Sequence, residues 1–354
     1  MSATTLTTCR KTSQYKLAPT PTQEQALDGV LWACRTVHNT ALEERKTAWE
    51  RCHVSLTRFQ QEAELKGLRE AFPELAAIHS HVLQDVLARL DRAFQAFFRR
   101  VKGGTKAGEK PGYPRFQGRG RYHSFTYKEY GNGVRLEGNQ EGNQDNGFLV
   151  LSKIGRIAVR WSRPIQGTPK TVTISREADG WYVSFSCDGV PIQPLPLTGR
   201  ETGIDVGLKV FLVTAQGLVV DNPRHFRTSE RRLAKADKAV ARCQKGSHGR
   251  RKALARRAKA HQKVKRQRLD FHHKTALALI RQYDTIYLEE LQVANMIRNR
   301  HLSKSIADAG WRQFRTILAY KAACAGKRVE AIPAQYTSQE CSGCGELVPK
   351  SLSV

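Results

Sequence analysis

The stretch Gly203-Ile-Asp-Val-Gly-Leu-Lys-Val-Phe-Leu-Val213 sets one carboxylate, Asp205, between apolar Ile204 and Val206, with glycines at 203 and 207. Such an apolar run reads as a strand, and a charge within it is expensive unless a cation or donor meets it. The flanking glycines would let a bulky polyanion approach the backbone. Glu289 has a similar setting, since it ends the apolar run of the strand Thr285-Ile-Tyr-Leu-Glu-Glu-Leu291. Two carboxylates on neighbouring strands of a mixed sheet can bridge divalent cations roughly 3.5–4 Å apart, the arrangement of two-metal phosphoryl chemistry. Taken singly, Asp205 reads equally well as a turn residue and Glu289 as a strand-end surface charge. As a pair, in a chain of this charge, they favour metal.

That charge is large. The 354 residues carry 59 Lys and Arg against 32 Asp and Glu, a formal net charge of +27 and a sequence pI near 10.1. A surplus of this size implies a polyanionic partner, because each neutralised phosphate releases condensed counterions. No long apolar run, signal-peptide core or lipidation motif supports a membrane partner. Between Arg227 and Arg268 seventeen Lys and Arg face only Glu230 and Asp237. Helical periodicity there predicts two basic helices, 227–245 and 249–282, which repel themselves unless a phosphate backbone lies on them. Leu233, Ala236 and Val240 on one, and Leu254, His261, Val264 and Leu269 on the other, are the expected seam. Arg231, Arg232, Arg250, Arg251, Arg256, Arg257 and Arg266 are the candidate phosphate contacts. Lys110, Arg115, Arg119 and Arg121 join them from a Gly- and Pro-rich segment, 102–121, that reads as an interdomain linker.

The rest of the chain divides by periodicity. Thr22 before Gln25 reads as a capping box opening a helix, and a second helix is expected from about Thr57 to a stop near Pro73. The third carries one apolar stripe from Val82 to Val101, read as bundle core. From Ser124 to Val190, short alternating runs separated by Gly, Asn and Pro predict a small barrel or sandwich, with a hairpin at Ala178-Asp-Gly-Trp181. After a Pro-rich linker at 191–196, strands alternate with helices, including one helix over 305–326, as in a mixed α/β sheet.

Eight cysteines include only one pair with metal-ligand spacing, Cys341-Ser-Gly-Cys344, and nothing resembles a secreted disulfide framework. A reducing compartment, the prokaryotic cytoplasm, is expected. Structural zinc takes four ligands, so this knuckle reads as half of a zinc ribbon.

These motifs, taken in order, resemble one family. Gly-Ile-Asp-Val-Gly207, the basic hairpin, Leu-Glu-Glu-Leu291, Asn295-Met, Ser305-Ile-Ala-Asp-Ala-Gly-Trp311 and Tyr336-Thr-Ser-Gln-Glu-Cys-Ser-Gly-Cys-Gly345 are similar to TnpB, the OrfB-type proteins of insertion sequences and relatives of type V CRISPR effectors. The Pro21-Thr-x-x-Gln…Arg35…Asn39 pattern and the Pro111-Gly-Tyr-Pro-Arg-Phe116 box match it too, so the resemblance spans essentially the whole chain.

The resemblance implies an RNA-guided DNA endonuclease. A guide RNA made from the transposon end would pair with double-stranded target DNA, and a RuvC-type, RNase H-like domain would cut it with Mg²⁺. Asp205 would be the first catalytic Asp and Glu289 the catalytic Glu, with Glu290 turned to the opposite face. The implied fold is an α+β multidomain chain: a wedge β-barrel over 1–21 and 110–195, an inserted helical recognition bundle over 22–109, a RuvC-like α/β domain over 196–335 and a partial zinc ribbon over 336–354. The family's third catalytic Asp follows a second Cys-x-x-Cys, and neither lies within these 354 residues. The expectation is therefore a Zn²⁺ half site at Cys341 and Cys344 and impaired cleavage, the alternative being a nuclease-dead, RNA-guided repressor.

Overall fold

Thr20, not Thr22, opens the first long helix. Residues 8–103, 111–118, 120–138 and 147–333 are described by a computed structural model, and they divide into two compact units, Arg10–Pro191 and Ile192 onward together with the N-terminal nine residues. Strand β1 (Thr8–Ala18) leads into α1 (Pro21–Cys52). The Thr20 side chain accepts from the Gln23 amide, and the Gln23 side chain accepts from Thr20. Pro21 fills the first turn, where its missing N–H costs nothing. The box therefore lies two residues before the expected one. The same reciprocal pair, Thr57 and Gln60, opens α2 (Arg58–Ala71) where expected, and Pro73 begins the short α3 (Pro73–Ala76).

In α4 (Ser80–Lys102) the stripe is buried from Val82 to Phe94, but Phe98 and Val101 are about half exposed. The apolar pattern thus outruns the core. The 111–118 segment covers part of it, with Tyr113 edge-on to Phe94 and Phe97 at centroid distances of 5.5 and 5.2 Å. Asn39 clamps the same segment by donating to the Gln117 carbonyl at 3.1 Å and accepting from its amide at 2.8 Å. This part of the expected linker is packed structure.

Strands β2 (Ser124–Tyr127), β3 (Val134–Glu137), β4 (Phe148–Leu151), β5 (Gly155–Arg160), β6 (Thr168–Glu177) and β7 (Gly180–Pro191) join β1 in a seven-stranded sheet, ordered β2-β6-β7-β1-β5-β4-β3. The β6–β7 hairpin closes between Glu177 and Gly180, as the Ala-Asp-Gly signal predicts. Helix and sheet share one unit: Arg89 of α4 donates to the Ser124 carbonyl and the Thr126 hydroxyl while its Nε meets Asp85 at 2.6 Å.

In the second unit, β8 (Glu201–Val206), β9 (Val210–Thr214) and β10 (Val219–Asp221) form an antiparallel meander. The β8–β9 turn explains Gly207, where a Cβ would stand 2.9 Å from the Val210 carbonyl oxygen. Glycine is there for the turn, not for a polyanion. Helices α5 (His225–Ala241) and α6 (His248–Gln282) carry the chain across to β11 (Thr285–Glu289), parallel to β8. Parallel neighbours require such a long crossover. Next come α7 (Val293–Met296), α8 (Ser303–Ala309), α9 (Trp311–Cys324) and β12 (Arg328–Ile332), giving the order β10-β9-β8-β11-β12.

The single helix expected over 305–326 is two. Gly310, at φ 65°, breaks it, and a Cβ there would lie 3.1 Å from both Arg268 and His272. Phe211, Ile280, Phe314 and Leu318 form the centre of this core. The hairpin seam also differs from expectation: Leu233 packs with Ala260, Val264 and Phe226, whereas Leu254 and His261 face solvent. Alanine at 253 and 260 lets the helices approach closely. No helix among the described residues is long and apolar enough to cross a membrane. The expected ribbon, with Cys341 and Cys344, lies outside the described residues.

Candidate functional site

The parallel ladder between β8 and β11 pairs Tyr287 with Gly203 and Leu288 with Ile204. One step further, at the carboxyl ends of both strands, stand Asp205 and Glu289. Thr202, Ile204, Ile286 and Leu288 are buried on the opposite face, so alternation puts Gly203, Asp205, Tyr287 and Glu289 on one side of the sheet. Asp205 is an exposed strand-end carboxylate, less enclosed than the apolar run suggests. Partial burial pushes its carboxyl above the usual range, and the charge of Glu289 raises it further. A divalent cation bound between the two carboxylates would relieve the repulsion that Asp205 feels from Glu289, so this donor set suits Mg²⁺. A Cβ on Gly203 would meet open space, so the face below the pair is clear, as the argument from glycine at that position requires.

Glu290 turns away. Both terminal nitrogens of Arg315 donate to its Oε1 at 3.1 Å. Beside Glu289 opens a cavity of about 350 Å³ between the end of β11 and the start of α9. The sequence reading named Trp311 only as the end of a family motif and did not single out Arg312, although a glycine interrupting a helical pattern before an aromatic–basic pair signals a new helix end there.

The basic candidates separate into two kinds. Arg231, Arg232, Arg251 and Arg256 are exposed on the hairpin, and no acid pairs with them among the described residues. Arg257 meets Asp237 at 3.4 Å. Arg266 is exposed on α6. Arg250 is not available to phosphate: it donates to the Val240 and Cys243 carbonyls at 2.8 and 3.1 Å, satisfying the C-terminal end of α5. Arg115 and Arg121 are exposed, while Lys110 and Arg119 lie outside the described residues. The hairpin is anchored at its root by Asp308, whose carboxylate accepts from the Phe226 amide at 2.9 Å and neutralises the N-terminal end of α5.

A model of an OrfB-type "Probable transposase" matches residues 183–300. An OrfB-type helix-turn-helix model matches 9–53, and a Cas12f1-like TNB-domain model matches 311–353. A Streptomyces pristinaespiralis protein named "Putative RNA-guided DNA endonuclease" is 33% identical over 343 residues, covering 95% of this chain and 81% of that protein. "Putative RNA-guided DNA endonuclease InsQ" of Escherichia coli K12 is 28% identical over 356 residues, covering 94% and 82%. Among solved structures, the Cas12f1–sgRNA–target DNA complex aligns with a TM-score of 0.52 at 12% identity, over 96% of this chain and 92% of that one, a likeness of fold. With an OrfB-type core, related modules matched on either side of it and a relative one-third identical over 95% of this chain, the chain belongs to the TnpB family.

Proposed function

We propose that this chain is a transposon-associated, RNA-guided DNA endonuclease, working in a prokaryotic cytoplasm with a guide RNA derived from the transposon end and double-stranded DNA as target. The observation that carries the reading is the Asp205–Glu289 pair on adjacent parallel strands of a sheet whose crossover is the basic hairpin. The strand order, with an antiparallel meander followed by two parallel strands, supports an RNase H-like reading of this unit. The seven-stranded sheet supports the wedge reading of the other.

Asp205 and Glu289 would hold the divalent cation, which when bound supplies electrophilic stabilisation to a phosphate undergoing hydrolysis. The protein's own part is positional. The exposed Arg231, Arg232, Arg251 and Arg256 bind phosphates without reading sequence, which fits a protein whose specificity is delegated to base pairing. The open face at Gly203 admits a strand to the carboxylates. Cys341 and Cys344 are proposed as zinc ligands, to be checked by metal content of the purified protein and of the double Cys→Ser variant.

A second reading is guide-dependent DNA binding with little or no cleavage, as in a repressor. Incubation of purified protein with guide, target duplex and Mg²⁺ separates the two. Guide-dependent cutting that Asp205→Ala removes supports the nuclease. Tight guided binding without cutting supports the repressor, and cutting that survives Asp205→Ala sinks the carboxylate assignment.

A further inference from the structure

The cavity beside Glu289 combines features that the carboxylate pair does not use. Leu288 and Phe314 form apolar wall, Glu289 and Glu290 also line it, and with Arg315 paired to Glu290 the remaining positive charge is that of Arg312. Its volume, about 350 Å³, lies at the small end for a ligand pocket and suits a single nucleotide. Trp311 also lines it, is only 6% exposed, and has a buried indole N–H with no hydrogen-bond partner among the described residues. An unmet buried donor is unfavourable, so it is a group that a ligand could satisfy after a small local adjustment. Arg312 is exposed and no acid pairs with it among the described residues, in contrast to Arg315, which Glu290 occupies.

We propose that this cavity is a nucleotide subsite for single-stranded DNA: one unstacked base enters beside Trp311 while Arg312 holds the adjoining phosphate. The assignment of DNA rests on the nuclease reading, because Glu289 belongs both to the cavity wall and to the carboxylate pair. A base lodged there fixes the register of the strand, so that the next phosphate along is presented to Asp205 and Glu289. Aromatic stacking tolerates any base, which suits an enzyme whose sequence choice is made elsewhere. Trp311 and Arg312 are thus positioning residues for the strand to be cut.

The test is photocrosslinking of the full 354-residue chain to a short single-stranded DNA containing 5-iododeoxyuridine, without divalent metal so that no cutting intervenes. Adducts are mapped by mass spectrometry, and total affinity is followed by fluorescence anisotropy. The expected result is an adduct on Trp311 that falls at least fivefold in Arg312→Ala and recovers in Arg312→Lys, with total affinity changed less than twofold because the hairpin carries most of it. An exposed, unpaired Arg312 has no part in the core, and an unchanged melting temperature verifies that the variant is folded. Adducts found only elsewhere, an adduct indifferent to Arg312→Ala, or an equal yield from the matching iodouridine RNA would each overturn the proposal. Loss of the nuclease reading registers separately, as cutting that survives Asp205→Ala, because the adduct is formed without metal and without chemistry.

Discussion

His272 shows how one side chain ties the second unit together. It is fully buried, bonded through Nε2 to the Ala309 carbonyl at 2.9 Å and stacked on Phe211. Burial holds its pKa down at about 4, and the nearby charge of Arg268 pushes the same way. The unfolded histidine titrates near 6.5, so stability is full above that pH and falls as pH drops towards 4, by at most about 3 kcal/mol. Urea titrations at several pH values should show the stability gap between wild type and His272→Gln narrowing over that window. A gap constant from pH 7 to pH 4 would show that the ring is not held neutral. At the carboxylate pair, Asp205→Asn keeps the side-chain shape and removes one charge. It should reduce guided cleavage at least a hundredfold, or about 2.7 kcal/mol of barrier, while leaving guide affinity within twofold. Equal loss of guide binding would mean that Asp205 acts in folding.

Among the elements, the basic hairpin separates arginines that look equivalent in sequence. Charge reversal of Arg231, Arg232, Arg251 and Arg256 to Glu should collapse RNA affinity and lower the salt slope by about 3, given roughly 0.7 per single-strand phosphate contact. An unchanged slope would move the RNA surface elsewhere. Arg250 behaves differently because it bonds the last carbonyls of α5. Arg250→Ala should cost about 1–2 kcal/mol of stability in thermal melts yet change RNA affinity less than twofold. The Lys- and Arg-rich pattern predicted both helices. It did not predict which arginine turns inward, since that depends on where α5 ends against the start of α6. The seam was misread for a related reason: Ala253 and Ala260 carry little hydrophobic signal, yet their small size is what allows close helix packing.

At the scale of the molecule, a net charge of +27 works against folding until a polyanion is bound. The melting temperature of the free protein should therefore rise between 50 and 500 mM NaCl, and the extra stability conferred by guide RNA should shrink over the same range. Differential scanning fluorimetry in a salt series reads both. A free protein that melts lower at high salt would show that internal ion pairs outweigh the self-repulsion.

The sequence alone determined the lineage and the kinds of element: the strand of Asp205, the strand of Glu289, the basic hairpin between them and the long capped helices at the start. These are local or ordered signals, legible in one dimension because hydrophobic period, capping residues and charge density are properties of neighbours along the chain. Tertiary structure decided the rest. It made Gly207 a turn requirement, broke a helix at Gly310, packed the 111–118 segment under Asn39, and put Trp311 and Arg312 beside Glu289. Each of these depends on an atom from a distant residue occupying the space a side chain would need, and no local pattern encodes that.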